Sequence, residues 1–358
     1  MLDLCFRGAI YSCSGYARIR HLIIELSKLG FNIQLKPFNI FDNVDLKDID
    51  FLRSLEKKQI SSPYISITTG IALQLFKDDQ AAYNIGYTMF EANSLPKTWI
   101  DFCNKMDEVW VPSNSNKKTF EISNVTSPIK VIPCGIDEEL FYPLNKDQND
   151  VFTFLSIGTY IDRKGWDILL EAFVEEFTSN ENVKLLIKLD GTNTFAEDEI
   201  RDKIFSYKNA PQISICNLRL DDLMIPKLYH KADCFVLPTR GEAFCIPALE
   251  SLACGVPVLI TDDGGFLDFL DEKNTWFIKS NGVQQISSRL GKINQYYRNL
   301  WFTEPDKESL KELMRKVFEN KEEYLSKKKN AFVSDQFYYK NIATKVKNRI
   351  DEIEKEIT

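Results

Sequence analysis

Short apolar runs alternate with amphipathic stretches along most of the chain, a pattern typical of strands alternating with helices. Leu2–Phe6 and Phe31–Pro37 are predicted strands, and the stretch Ala17–Leu29 between them has helical spacing that ends at Gly30. The same alternation begins again with a strand at Phe152–Gly158. Strands separated by helices pair in parallel, so we expect an α/β protein of two Rossmann-like domains with a cleft between them.

The polar, turn-rich segment NKDQND, near residues 143–150, is the best candidate for a domain boundary. We therefore place the first domain at 1–145, the second at 146–335, and a final helix at 336–358. The remainder of the chain, with WFTEPDKESLKELMRKVFEN and the charged segment from Lys321 to Thr358, is predicted to be helical.

The stretch Asp233–Gly265 carries the densest set of signals. It predicts a buried strand ended by Pro238, a loop, a helix with Pro247 in its first turn, and a second strand after Gly255. Loop and helix start present backbone N–H groups beyond the carboxyl end of a strand. Open α/β sheets bind anionic ligands there.

Composition excludes several classes of protein. The 358 residues are 44% hydrophobic and 27% charged, so the chain is globular rather than disordered, and no apolar run is long enough for a membrane span. A net charge of −7 argues against general attraction to nucleic acids. The eight cysteines form no CxxC pair and there are only two histidines, so we expect reduced thiols and no metal site.

Two carboxylates stand in the Asp233–Gly265 stretch, Glu242 in the loop and Glu250 on the helix. Glu250 could bind both hydroxyls of a ribose, although a first-turn glutamate also stabilises a helix dipole. Glu242 could accept hydrogen bonds from hexose hydroxyls. Between them, the backbone N–H groups of Phe244, Cys245 and Ile246 could bind a diphosphate.

Arg163 and Lys164 precede Gly165 in the loop after the first strand of the second half. Alone, this tripeptide reads as a solvated basic turn. However, its loop and the Glu242 loop both follow parallel strands of one domain, so they should face one crevice and provide cations for a diphosphate. Gly15, after the first strand of the chain, either allows the backbone to approach a phosphate or a sugar closely or is an ordinary turn glycine.

The string RGEAFCIPALESLACGVPVLIT resembles the signature of the family 4 retaining glycosyltransferases (glycosyl transferases group 1), which have the two-Rossmann GT-B fold. Two further strings, FLSIGTYIDRKGWDILLEAF and IKVIPCGIDEELFYPL, resemble the donor-domain opening and the interdomain linker of that family. A third, YTMFEANSLPKTWIDFCNKMDEVWVPS, resembles the acceptor-side half of one of its branches. The resemblance implies a last helix that crosses back to the first domain.

For matching residues, the resemblance implies specific roles. Glu250 would bind the nucleotide ribose, Glu242 would hold donor-sugar hydroxyls, and Lys164 with Arg163 would stabilise the diphosphate leaving group. The backbone of Phe244–Ile246 would contact phosphate. The loop near Gly15 would lie against donor or acceptor, and no metal would be needed.

Three departures from the family pattern stand out. Thr159 occupies a position where the family commonly has Arg or Lys, and Cys245 occupies one that is usually Gly. The first half also lacks a histidine in IGYTMFEAN, where many members place one. Glu91 is the nearest candidate to orient the acceptor or act as its base, and is otherwise a loop or helix-cap glutamate.

The sequence thus predicts a retaining hexosyltransferase that uses a UDP-sugar, or second a GDP-sugar, in the cytoplasm, with contact at the inner face of a membrane left open. The acceptor could be a glycan, a lipid-linked glycan, a protein or a modified nucleic acid. One rival is a nucleotide-sugar epimerase on the same fold. Another is a non-catalytic nucleotide-sugar-binding subunit, which the departures at Thr159 and at the missing histidine would suit.

Overall fold

The fold is described from a computed structural model, which describes residues 2–11, 19–38, 48–144, 151–191, 195–205, 207–285 and 295–357. The chain divides into two compact units. Unit 1 comprises residues 1–137 and 334–358, and unit 2 comprises residues 138–333. Among the described residues, no helix combines the length and apolar character that a bilayer crossing requires.

Unit 1 is a six-stranded parallel sheet with helices. Its strands have the order β2-β1-β3-β4-β5-β6. In chain order the elements are β1 (Asp3–Gly8), α1 (Ile19–Lys28), β2 (Ile33–Pro37), α2 (Ile49–Glu56), β3 (Tyr64–Thr69), β4 (Tyr83–Tyr87), α3 (Lys97–Cys103), β5 (Glu108–Val111), α4 (Asn114–Ile122) and β6 (Ile129–Val131).

Unit 2 contains a second six-stranded parallel sheet, with the order β12-β11-β10-β7-β8-β9. Its elements are β7 (Phe152–Ile157), α5 (Trp166–Glu176), β8 (Val183–Lys188), α6 (Ala196–Phe205), β9 (Gln212–Cys216), α7 (Ile225–Tyr229), β10 (Cys234–Leu237), α8 (Ile246–Ala253), β11 (Val258–Thr261), β12 (Thr275–Ile278), β13 (Ser280–Gln285), β14 (Trp301–Pro305), α9 (Lys307–Glu319) and α10 (Lys321–Lys329). The predicted α/β fold of two Rossmann-like domains is confirmed.

The last helix, α11 (Tyr339–Ile357), packs against unit 1, as the resemblance implied. Its buried face, with Ile342 and Val346, joins the core that α1 covers. Arg349 on this helix binds Glu108 of β5, with 2.7 Å between Nη2 and Oε2, and Glu108 is completely buried. A paired, buried carboxylate thus ties the end of the chain to the sheet of unit 1.

One predicted element is wrong. The sequence pattern predicts a helix that includes WFTEP, but Trp301–Pro305 is strand β14 and pairs antiparallel with β13. The β-favouring residues Trp, Phe and Thr suit a strand. The helix α9 begins only after Asp306, whose side chain caps the N–H of Ser309 at 2.6 Å.

Candidate functional site

The turn that carries Arg163 and Lys164 packs directly against the loop after β10. It is a short 3₁₀ turn, Asp162–Lys164, followed by Gly165 with φ +69°. A Cβ added at Gly165 would lie 1.8 Å from the carbonyl oxygen of Pro238, so only glycine fits. This close approach brings residues that are far apart in the sequence into one cluster.

Glu242 is the centre of that cluster. Its Oε1 accepts hydrogen bonds from Lys164 Nζ at 2.6 Å, from Arg163 Nη1 at 3.0 Å and from the hydroxyl of Thr239 at 3.2 Å. Arg163 also donates to the carbonyl oxygen of Gly241. All of these groups are buried, and each of the two cations is only 8% exposed. The predicted grouping of Arg163, Lys164 and Glu242 is therefore present as a compact ion cluster.

The electrostatics of the cluster leave an excess of positive charge. Burial disfavours the charged form of Glu242, but Lys164 and Arg163 outweigh it and hold the pKa of this carboxyl below its usual value. Glu242 is therefore ionised at neutral pH. Two cations and one carboxylate give a net charge of +1, which attracts an anion.

Glu250 lies in the middle of α8 and is 3% exposed. Its Oε2 accepts a hydrogen bond of 2.9 Å from the hydroxyl of Tyr229, which also lies 3.0 Å from the carbonyl oxygen of Pro247. Burial and the neighbouring Glu250 raise the pKa of Tyr229 well above its usual value, so the hydroxyl stays protonated and donates a hydrogen bond to the carboxylate. Tyr229 therefore fixes the orientation of the carboxylate.

Phe244, Cys245 and Ile246 form the entry to α8. Cys245 precedes the first helical residue and has φ +69° and ψ +71°, in the left-handed region that glycine favours. Its thiol is buried, which raises its pKa to about 12 and keeps it neutral. Phe244 packs on Phe269 with 5.1 Å between ring centroids. A glycine at position 245 would thus suit the backbone better than the cysteine does.

The remaining predicted residues lie elsewhere. Thr159 is exposed, and its carbonyl oxygen accepts a hydrogen bond of 2.8 Å from Trp166 Nε1. Glu91 lies in unit 1, in the loop between β4 and α3, next to Phe90, whose backbone N–H and C=O both bind the side chain of Asn116. Gly15 lies outside the described residues.

Three residues of unit 2 escaped the sequence analysis. Thr239 stands in the signature string, where a loop threonine gave no separate signal. Tyr229 lies 21 positions before Glu250, and no local pattern links the two. Arg240 lies in the predicted loop after Pro238, and its hydrogen bonds with both Asp167 and Glu304 have no local signal.

The cluster occupies a particular place in the sheet of unit 2. In the order β12-β11-β10-β7-β8-β9, the chain runs one way from β7 to β9 and the other way from β10 to β12. The Arg163–Lys164 turn follows β7 and the Glu242 loop follows β10, so both lie where the strand order reverses. Doubly wound sheets bind their ligands at this switch point. Fold and site thus define an α/β protein of two Rossmann-like units, with a cluster of two cations and one carboxylate at the switch point of the second.

The family of this segment follows from comparison with known proteins. Residues 138–294 match the family model described as glycosyl transferases group 1. The matched segment contains the signature string, so the resemblance seen there is confirmed.

Curated relatives are distant. A putative glycosyltransferase of a Sulfolobus islandicus filamentous virus is 27% identical over 208 residues, which cover 56% of this chain and 53% of the relative. The mannosylfructose-phosphate synthase of Agrobacterium fabrum is 26% identical over 151 residues, or 38% of this chain and 33% of the relative. The match thus spans about half the length of the first relative and a third of the second.

Solved structures match over nearly the whole chain. A sucrose-phosphate synthase from Thermosynechococcus elongatus superposes with a TM-score of 0.73 at 16% identity, covering 99% of both chains. HepE of Anabaena, in complex with UDP and glucose, gives a TM-score of 0.71 at 14% identity and covers 98% of this chain and 100% of its own. These neighbours confirm the GT-B fold.

Proposed function

We propose that this protein is a retaining, metal-independent glycosyltransferase that moves a sugar from a nucleoside-diphosphate sugar to an acceptor hydroxyl. The observation that carries the proposal is the ion cluster of Arg163, Lys164 and Glu242, which has a net positive charge and lies at the switch point of the sheet. A family of glycosyl transferases matches this same segment.

Leaving-group stabilisation is the first task of the cluster. As the bond between the anomeric carbon and the diphosphate oxygen breaks, negative charge grows on the diphosphate. Arg163 and Lys164 are held in place by Glu242 before the donor arrives, so they neutralise this charge without reorganising. The two fixed cations supply the positive charge that a metal ion supplies in other transferases, and the proposal needs no metal.

Donor binding involves both carboxylates. Glu242 presents Oε1 to its three protein donors, and we assign Oε2 to hydroxyls of the donor sugar. Glu250, oriented by Tyr229, binds the ribose hydroxyls, and the backbone N–H groups of Phe244–Ile246 contact phosphate. In a retaining transfer the acceptor oxygen attacks from the face that the diphosphate leaves. A phosphate oxygen then takes the proton of the acceptor hydroxyl.

The donor is proposed to be a UDP-sugar, with a GDP-sugar second. HepE has been solved with UDP-glucose, and the pneumococcal O-GlcNAc transferase GtfA with UDP and GlcNAc, which supports UDP. Unit 1 is assigned to the acceptor, with Glu91 to orient it or serve as its base and the Gly15 loop beside donor or acceptor. A glycan, lipid-linked glycan, protein or modified nucleic acid all fit this assignment, at a cytoplasmic location with or without peripheral membrane contact.

Thermal unfolding in the presence of nucleoside diphosphates and their sugars tests the donor. A ligand present at 100 times its Kd stabilises the folded state by about 2.7 kcal/mol, a shift easily measured. UDP and UDP-sugars should raise the Tm, and the double variant Lys164→Ala, Glu250→Ala should lose both this shift and transfer. Full activity of that variant would refute the proposal.

The rivals give different results in the same experiments. An epimerase would convert the free donor to its epimer with no acceptor present. A non-catalytic subunit would bind nucleotide and neither transfer nor hydrolyse the sugar. NMR of the product's anomeric proton would establish retention.

A further inference from the structure

Arg240 stands two residues before Glu242 and is held by carboxylates from two directions. Its Nε and Nη2 donate to Glu304 on β14 at 2.6 and 3.0 Å, and its Nη1 and Nη2 donate to Asp167 on α5 at 2.9 and 2.8 Å. All three guanidinium nitrogens are engaged, and the side chain is only 14% exposed. A planar guanidinium bound by two carboxylates has little freedom, so the backbone that carries it is fixed as well.

The backbone of Arg240 joins the same segments. Its N–H donates to the carbonyl oxygen of Arg163 at 2.7 Å, and its carbonyl oxygen accepts from the N–H of Thr303 at 3.1 Å. One residue therefore connects the turn that carries the cations, the loop that carries Glu242, and strand β14.

A second connection reaches Glu242 from its other side. The hydroxyl of Thr303 donates to Asp263 Oδ2 at 2.6 Å, and Asp263 precedes Gly264 and Gly265. The N–H of Gly265 donates to the carbonyl oxygen of Glu242 at 2.8 Å. Adjacent residues of β14, Thr303 and Glu304, thus hold both flanks of the loop.

We propose that Arg240 is a positioning residue, and that the β13–β14 hairpin holds the Glu242 loop in place through Glu304 and Thr303. The hairpin pairs only within itself among the described strands, in a separate two-stranded sheet. Two-stranded hairpins have little stability of their own, so the loop and the hairpin order each other. The role of Glu242 in this inference rests on the proposed function. The hydrogen-bonded link between the hairpin and the Glu242 loop is independent of that function.

Hydrogen exchange tests the connection without any donor. In Glu304→Gln and in Thr303→Val, amides of the peptides spanning 239–246 and 262–266 should exchange about tenfold faster than in the wild type, while those of β8 should not change. Glu308→Gln is the matched control, because Glu308 is exposed on α9 and its carboxylate pairs with Lys311 of the same helix at 3.0 Å. Unchanged exchange in both test variants would overturn the proposal.

Kinetic measurements with UDP-glucose as the probe distinguish a positioning role of Arg240 and Glu304 from a purely structural one. For Glu304→Gln, the kcat for UDP release should fall about tenfold, while the Kd for UDP stays within threefold of the wild type. Arg240→Lys, which keeps the charge but loses the fork, should give the same split, and the double variant should be no worse than either single variant. Faster exchange with an unchanged kcat would overturn the positioning role. If the wild type binds neither UDP nor UDP-glucose, the proposed donor is wrong, and the exchange result alone judges the connection.

Discussion

The substitution Glu242→Gln measures how much the ion cluster contributes to stability and whether its cations bind a diphosphate. Gln keeps the shape of the side chain and an oxygen that accepts from Lys164, Arg163 and Thr239, but it removes the charge. A hydrogen bond between charged groups contributes about 1 to 1.5 kcal/mol more than one to a neutral acceptor. Two such bonds weaken here, so the free energy of unfolding should fall by about 2 to 3 kcal/mol.

Removing the acceptor altogether should cost more. Glu242→Ala leaves both buried cations without their shared partner, which typically costs about 3 to 5 kcal/mol. Urea denaturation at pH 7 measures both values. Glu121→Gln is a suitable control, because Glu121 is an exposed residue of α4 whose Oε1 lies 3.8 Å from Lys117 Nζ, and it should change stability by less than 0.5 kcal/mol or so.

UDP binding should change in the opposite direction. Without the carboxylate the cluster carries +2 instead of +1, and an added unit charge close to the diphosphate contributes about 1 kcal/mol after screening. The Kd of Glu242→Gln for UDP, measured by calorimetry, should therefore be about fivefold lower than that of the wild type, although the protein is less stable. Lower stability with an unchanged or weaker affinity for UDP would show that the cations do not serve a diphosphate.

Three further predictions concern single groups. The pKa of Glu242 in the folded state lies below its ordinary value of 4.5, so the stabilisation by its charge is complete above pH 4.5 and is lost as the pH falls through the folded-state pKa. The difference in free energy of unfolding between the wild type and Glu242→Gln should therefore decrease on acidification. A constant difference in denaturation experiments from pH 7 to 3 would contradict this. The variant Cys245→Gly should have a free energy of unfolding about 1 kcal/mol higher than that of Cys245→Ala, because residue 245 has a positive φ. In strand β10 the order should be reversed, with Cys234→Ala more stable than Cys234→Gly. If urea denaturation shows the same order of stability at both positions, the backbone strain at residue 245 is refuted. Tyr229→Phe should lower the free energy of unfolding by about 1.5 to 3 kcal/mol by removing the donor to Glu250, with Tyr142→Phe, at an exposed ring, as the control; equal effects of the two substitutions would exclude the hydrogen bond as the cause.

Periodic patterns were sufficient for most of the fold. The strand–helix alternation predicted two α/β domains, and the string around Glu242 and Glu250 led to the family. The strand β14 was missed because WFTEP directly precedes a well-capped helix, and its pairing partner lies across a segment with no strong pattern. A two-stranded sheet has no periodic signal comparable to that of a parallel core.

The sequence by itself determined which residues stand at the ends of the strands: Arg163 and Lys164 after one, Glu242 after another. Only the tertiary structure decided that the carboxylate of Glu242 partly neutralises these two cations, because its hydrogen bonds with Lys164 and Arg163 join residues 78 and 79 positions apart. The same holds for Tyr229 with Glu250 and for Arg240 with Asp167 and Glu304. Local sequence determines helices and strands through propensity and periodicity. The partners of a buried charge depend on which loops the sheet brings together, and on a glycine whose missing Cβ lets two of them touch.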